Sequence, residues 1–100
     1  MVVVSFKRER GYLTEVSAIG HANYAEHGKD IVCSAVSIVL TGLMNEIGNY
    51  VKAEHKAASG DMELSIEKPN EKTQVLMDFA LNTIRAIAEE YPDNVIVTTK

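Results

Sequence analysis

The chain has 100 residues, 46% hydrophobic and 24% charged, which suits a single domain with a modest core that needs no disulfide or metal. With no tryptophan and only two phenylalanines that core must be largely aliphatic, and a net charge of −4 argues against direct binding to a nucleic-acid backbone. The single cysteine has no internal disulfide partner, and no stretch approaches the roughly 18 apolar residues of a membrane span, so a cytoplasmic location and no membrane partner are expected.

The chain opens on "VVVSFKR", where Val2, Val4 and Phe6 alternate with Val3, Ser5 and Lys7, the period of a strand. The "ERG" segment reads as a turn, and "YLTEVSAIG" as a second strand that closes a hairpin and ends at Gly20. Residues 21–29 read as loop. From Asp30 the period becomes helical, with Ile31, Ala35, Ile38, Val39, Gly42, Leu43 and Ile47 expected to form the apolar stripe and Asp30 to cap the first turn. "GNY" ends this helix.

A second hairpin follows. Val51, Ala53, His55 and Ala57 alternate with Lys52, Glu54 and Lys56, "GD" turns the chain, and Met62, Leu64 and Ile66 alternate with Glu63, Ser65 and Glu67. Pro69 and Asn70 start a second helix, for which Leu76, Phe79, Ala80, Ile84, Ile87, Ala88 and Tyr91 are the expected core side. "PDN" stops it and "VIVTT" is a last strand. The order ββαββαβ predicts an α+β fold, an antiparallel or mixed β-sheet with two helices packed on one face. No linker or repeat interrupts it, so residues 1–100 are expected to form one domain.

Chemistry concentrates between Gly20 and Ser37. With Asp30 as cap, Cys33 is the third residue of the helix, where the partial positive charge of the helix start favours a thiolate, the nucleophilic form. Amides around it could hold the oxyanion of an attacked carbonyl. His21, just after the second strand, could take the thiol proton as general base and return it to a leaving amine. The same positions also suit a small buried cysteine and a solvated histidine. Asp30 could serve as cap alone or also orient His21 as a triad acid does. Ser37, one turn beyond Cys33, could bond the thiol, the substrate or its own helix. Zinc held by His21, His27 and Cys33 lacks a fourth ligand, so no metal is expected, and no glycine-rich phosphate loop or carboxylate cluster indicates a cofactor.

"GHA", followed after a short loose segment by "GKDIVCSAVS", resembles the ribosomal-processing cysteine protease family of Firmicutes and related bacteria, often called Prp. The likeness extends along nearly the whole chain, and Ser34 stands where the family often has alanine. The resemblance implies a cysteine endopeptidase that removes the short N-terminal extension of large-subunit ribosomal protein twenty-seven, cutting after a paired-phenylalanine motif, a step needed for ribosome assembly or function. It implies a cytoplasmic homodimer, Cys33 as nucleophile, His21 as base, and Asp30 and Ser37 in support. It also implies a mobile loop carrying Gly20, Ala22, Asn23, Tyr24 and Gly28. Leu40, Met44 and Tyr50 are candidate liners of an aromatic-sized groove, or else pack on the second helix or a dimer partner. Two alternatives stand beside this reading: a non-catalytic ribosome-associated binding protein, and a cysteine hydrolase acting on another acyl substrate.

Overall fold

The structure, a computed structural model, describes residues 1–21 and 30–100. Its elements are β1 (Val2–Glu9), β2 (Tyr12–Gly20), α1 (Ile31–Ile47), β3 (Ala53–Ala58), β4 (Asp61–Ile66), α2 (Glu71–Glu90) and β5 (Val95–Thr99), in the expected order ββαββαβ. The five strands form one mixed sheet in the order β3-β4-β2-β1-β5. β1 pairs antiparallel with β2, with Phe6 opposite Val16, and parallel with β5, with Val4 opposite Val97. β4 lies antiparallel to both β2 and β3. The β1–β2 turn needs positive φ at both central residues, Arg10 (53°) and Gly11 (87°), the conformation whose twist matches that of the strands it joins.

Alternation along the strands sends Val2, Val4, Phe6, Val16, Ala18, Met62, Leu64, Ile66 and Val95 to one face, where they are buried under α1 and α2. The opposite face stays open to solvent, carrying Ser5, Lys7, Glu15, Ser17, Glu63 and Ser65. Two helices on one face of a mixed sheet is the architecture the pattern predicted.

The buried side of α1 differs from the expectation, whereas that of α2 departs from it only at Phe79. On α1 the core side is Val32, Val36, Leu40, Leu43, Met44 and Ile47, whereas Ile31 is 59% and Ile38 71% exposed. The helix carries no charged residue before Glu46, so its apolar residues allow more than one stripe and only the sheet selects among them. On α2 the fully covered residues are Thr73, Met77, Ala80, Leu81 and Ile84; Leu76, Ile87, Ala88 and Tyr91 pack partly against the core, and Phe79 points outward. In β3, Ala53 is half-buried while His55 and Ala57 are exposed, because β3 is the edge strand. An alternating pattern without large apolar residues could not reveal that position. Among the described residues no helix is long and apolar enough to cross a membrane.

Candidate active site

Asp30 begins α1 with extended backbone dihedrals, and its Oδ1 accepts hydrogen bonds from the amides of Val32 and Cys33, both at 2.9 Å. The cap is buried, at 6% exposure. The expected cap is therefore present, and it fixes Cys33 as the third helical residue. The Ser34 amide is also engaged, donating to the Asp30 carbonyl at 3.1 Å. This corrects the expectation that helix-start amides around Cys33 would receive an oxyanion. Three of them, at residues 32, 33 and 34, are occupied by the cap itself.

Cys33 is half-buried and its sulfur is a free thiol. It lines a cleft of about 70 Å³ with Ser37, one turn further along α1, and with Gly20, Ser59, Gly60 and Asp61. The structure thus brings Cys33, Ser37 and Gly20 together. Gly20 ends β2 with φ +103°, and a Cβ there would collide with the carbonyl oxygen of Met1, so the position requires glycine. Its amide donates to the carbonyl of Gly60 at 2.9 Å.

His21 follows directly. Its carbonyl accepts a hydrogen bond from the Met1 nitrogen, and its ring lies against Gly60. A Cβ built on Gly60 would come within 2.8 Å of His21 Nε2 and 3.1 Å of Cε1. The β3–β4 turn therefore joins the two halves of the site: Gly60 borders the cleft that holds Cys33 and supports the ring of His21. Sequence reasoning saw this turn only as a turn. Its part in the site follows from sheet order, which sets β4 beside β2, and no local pattern carries that information.

Of the expected loop residues, Gly20 is placed as described above, while Ala22, Asn23, Tyr24 and Gly28 lie outside the described residues, as does His27. The suggested groove liners are not at the cleft. Leu40 and Met44 are buried in the core, and Tyr50 lies past the far end of α1, where Lys72 sits 5.4 Å from its ring centroid. Among the described residues no three His, Cys, Asp or Glu side chains gather as metal ligands.

A larger concavity, about 450 Å³, lies over the open sheet face and includes neither Cys33 nor His21. Two of its three lysines, Lys7 and Lys56, are matched by carboxylates. Lys7 is 3.0 Å from Glu9 and 3.4 Å from Glu15, and Lys56 pairs with Asp61. Hydrogen bonds to those carboxylates hold both ammonium groups above their ordinary pKa. The cleft at Cys33 is smaller; its lining holds the thiol at the start of α1, Gly20 at the end of β2 and Gly60, against which the His21 ring lies, but not His21 itself.

Residues 1–96 match the family model described as cysteine protease Prp. The ribosomal processing cysteine protease Prp of Staphylococcus aureus is 30% identical over 97 residues, covering 92% of each chain. The Bacillus subtilis protein of the same name is 32% identical over 89 residues, covering 80% of each. A crystal structure of the S. aureus protease with a covalently linked product peptide superposes with a TM-score of 0.90 at 29% identity and full coverage of both chains. The fold agrees along the whole of the S. aureus structure and the sequence along 80–92% of the two relatives, and we conclude that this chain belongs to the Prp family of cysteine proteases.

Proposed function

We propose that Cys33 is the nucleophile and His21 the general base of a peptidase acting on the N-terminal extension of large-subunit ribosomal protein twenty-seven. The observation that carries this reading is the cleft itself, in which a half-buried thiol at the start of α1 faces a turn that also supports the His21 ring. The names of the S. aureus and B. subtilis relatives, both ribosomal processing proteases, support the substrate class.

In the reaction, the His21 imidazole accepts the proton of the Cys33 thiol and the sulfur attacks the scissile carbonyl carbon. The tetrahedral intermediate collapses as the protonated imidazole gives its proton to the departing amine. That step releases the C-terminal product and leaves a thioester on Cys33. Water then loses a proton to His21 and attacks the thioester carbonyl. A second collapse frees the carboxylic acid and restores the thiol. Asp30 holds Cys33 at the helix start through the Val32 and Cys33 amides. Ser37, on the same side of α1, is within the cleft to steer the thiol or the substrate.

The cut falls after a paired-phenylalanine motif, and residues 1–100 act as one protease domain in the cytoplasm, where ribosomal proteins are processed. The working unit is a homodimer. On the outer side of α1 the large apolar side chains of Ile31 and Ile38 are exposed among Ser34, Thr41 and Asn45, which supports a surface there for a second copy to cover. Ile38→Asp should halve the sedimentation mass and leave a folded monomer by circular dichroism, with a Tm that no longer rises with protein concentration; an unchanged dimer would move the interface elsewhere, and a monomeric wild type would remove it.

The test of function is cleavage of the extension peptide, followed by mass spectrometry. Wild type should make one cut after the aromatic pair, and Cys33→Ala and His21→Ala should make none. A rapidly alkylated thiol without cleavage would indicate another acyl substrate. A slow thiol without cleavage would return Cys33 to the core and favour a binding protein.

A further inference from the structure

We propose that Gly60 is a positioning residue for His21, its missing side chain being the space in which the imidazole sits; this rests on His21 acting as the base. Two contacts from one turn carry the inference. The Gly60 carbonyl accepts the amide of Gly20 at 2.9 Å and so fixes the residue directly before His21. The Gly60 Cα then lies beneath the ring, so close that an added Cβ would stand 2.8 Å from Nε2, 3.1 Å from Cε1 and 3.5 Å from Cδ2. Carbon atoms are not found that near a ring atom, and ordinary contact begins at about 3.5 Å. A methyl group at residue 60 would therefore push the imidazole away by a large fraction of an ångström. Nε2 is the ring atom that would move most, being the one nearest the added carbon. Gly60 also borders the Cys33 cleft, so the one turn touches both the His21 ring and the space in front of the thiol.

Glycine at residue 60 has a second reason to exist, its φ of +75°, and the test must separate the two. The molecule supplies the control. Gly11, in the other hairpin turn, has φ +87°, and a Cβ there meets nothing within 4 Å. Gly11→Ala and Gly60→Ala thus impose comparable backbone strain, and only the second touches the histidine.

The experiment measures kcat, KM, Tm and the pH profile of kcat/KM on the extension peptide for wild type and both glycine variants, with His21→Ala as the inactive reference. Both glycine variants should lose a similar few degrees of Tm. Gly11→Ala should cleave at the wild-type rate. Gly60→Ala should lose about 100-fold in kcat with KM little changed, the scale expected when a catalytic group is misplaced by about 1 Å. Its pH profile should also depart from that of the wild type. Should alanine prevent folding, Gly60→Asn carries the same Cβ on a residue that tolerates positive φ, and the same losses are expected of it.

Cleavage by Gly60→Ala or Gly60→Asn within threefold of Gly11→Ala would overturn the proposal while leaving the role of His21 intact. So would a slow variant that keeps the wild-type pH profile, since that marks a structural loss. Wild-type cleavage by His21→Ala would instead remove the role of His21 and the proposal with it.

Discussion

The two helix starts of this protein solve the same local problem and put the third helical residue to opposite uses. α2 begins at Asn70, whose side chain accepts the amide of Thr73 while the Thr73 hydroxyl accepts the amide of Asn70, a reciprocal capping box. The hydroxyl also donates to the Asn70 carbonyl, and the side chain is wholly buried. α1 begins at Asp30, whose carboxylate serves two amides alone. The side chain of its third residue, Cys33, has no part in the cap and borders the cleft. The Asp30 carboxylate takes on the capping that Thr73 shares in α2, and this leaves Cys33 available for chemistry. A helix start is a structural device first. It becomes a reactive one only when another group satisfies its amides and the side chain faces an opening.

Substitutions at the two starts should therefore separate activity from stability. The largest effect is expected for Cys33→Ala, which should lower kcat by about 10⁴-fold or more. Because the thiol makes no contribution to the cap, Tm should hold within a few degrees; a large fall in Tm would make Cys33 structural after all.

Asp30→Ala should come next, losing about 1–2 kcal/mol in denaturant unfolding and slowing thiol alkylation as the first turn loosens. Asp30→Asn keeps a capping oxygen and should restore both. Restored stability with cleavage still impaired would show that the charge itself is used, and Asp30 would then be more than a cap.

Thr73→Ala should lose about 1–2 kcal/mol, since it leaves the Asn70 amide without its buried partner, yet cleave at the wild-type rate. An activity loss there exceeding the fraction unfolded would contradict the division of labour between the two helices. The smallest effect is expected for Ser37→Ala, a loss of about fivefold in kcat/KM, the worth of one hydrogen bond of about 1 kcal/mol, with unchanged stability.

Much of the site was legible before any coordinates. The carboxylate of Asp30 ahead of an apolar run located the start of α1 and thereby the place of Cys33 in its first turn, because N-capping is a local interaction with a local signature. The hairpins were legible for a similar reason, since alternation and turn residues act over a few positions. Which side of α1 is buried was not. Ile31 and Ile38 are as apolar as Val32 and Leu40, and no charge on the helix before Glu46 marks a solvent side. Phe79 on α2 and His55 and Ala57 on the edge strand β3 were also expected on covered faces and are exposed.

What the sequence determined by itself was the set of elements, their order and the local chemistry at the head of α1, all set by interactions a few residues long. The tertiary structure decided which faces are covered and what stands opposite the cysteine. Ser59 and Gly60 reach the cleft because β4 pairs with β2, placing the β3–β4 turn beside the end of β2 and beneath His21. That meeting depends on pairing between segments far apart in the chain, for which neither periodicity nor turn chemistry leaves a mark.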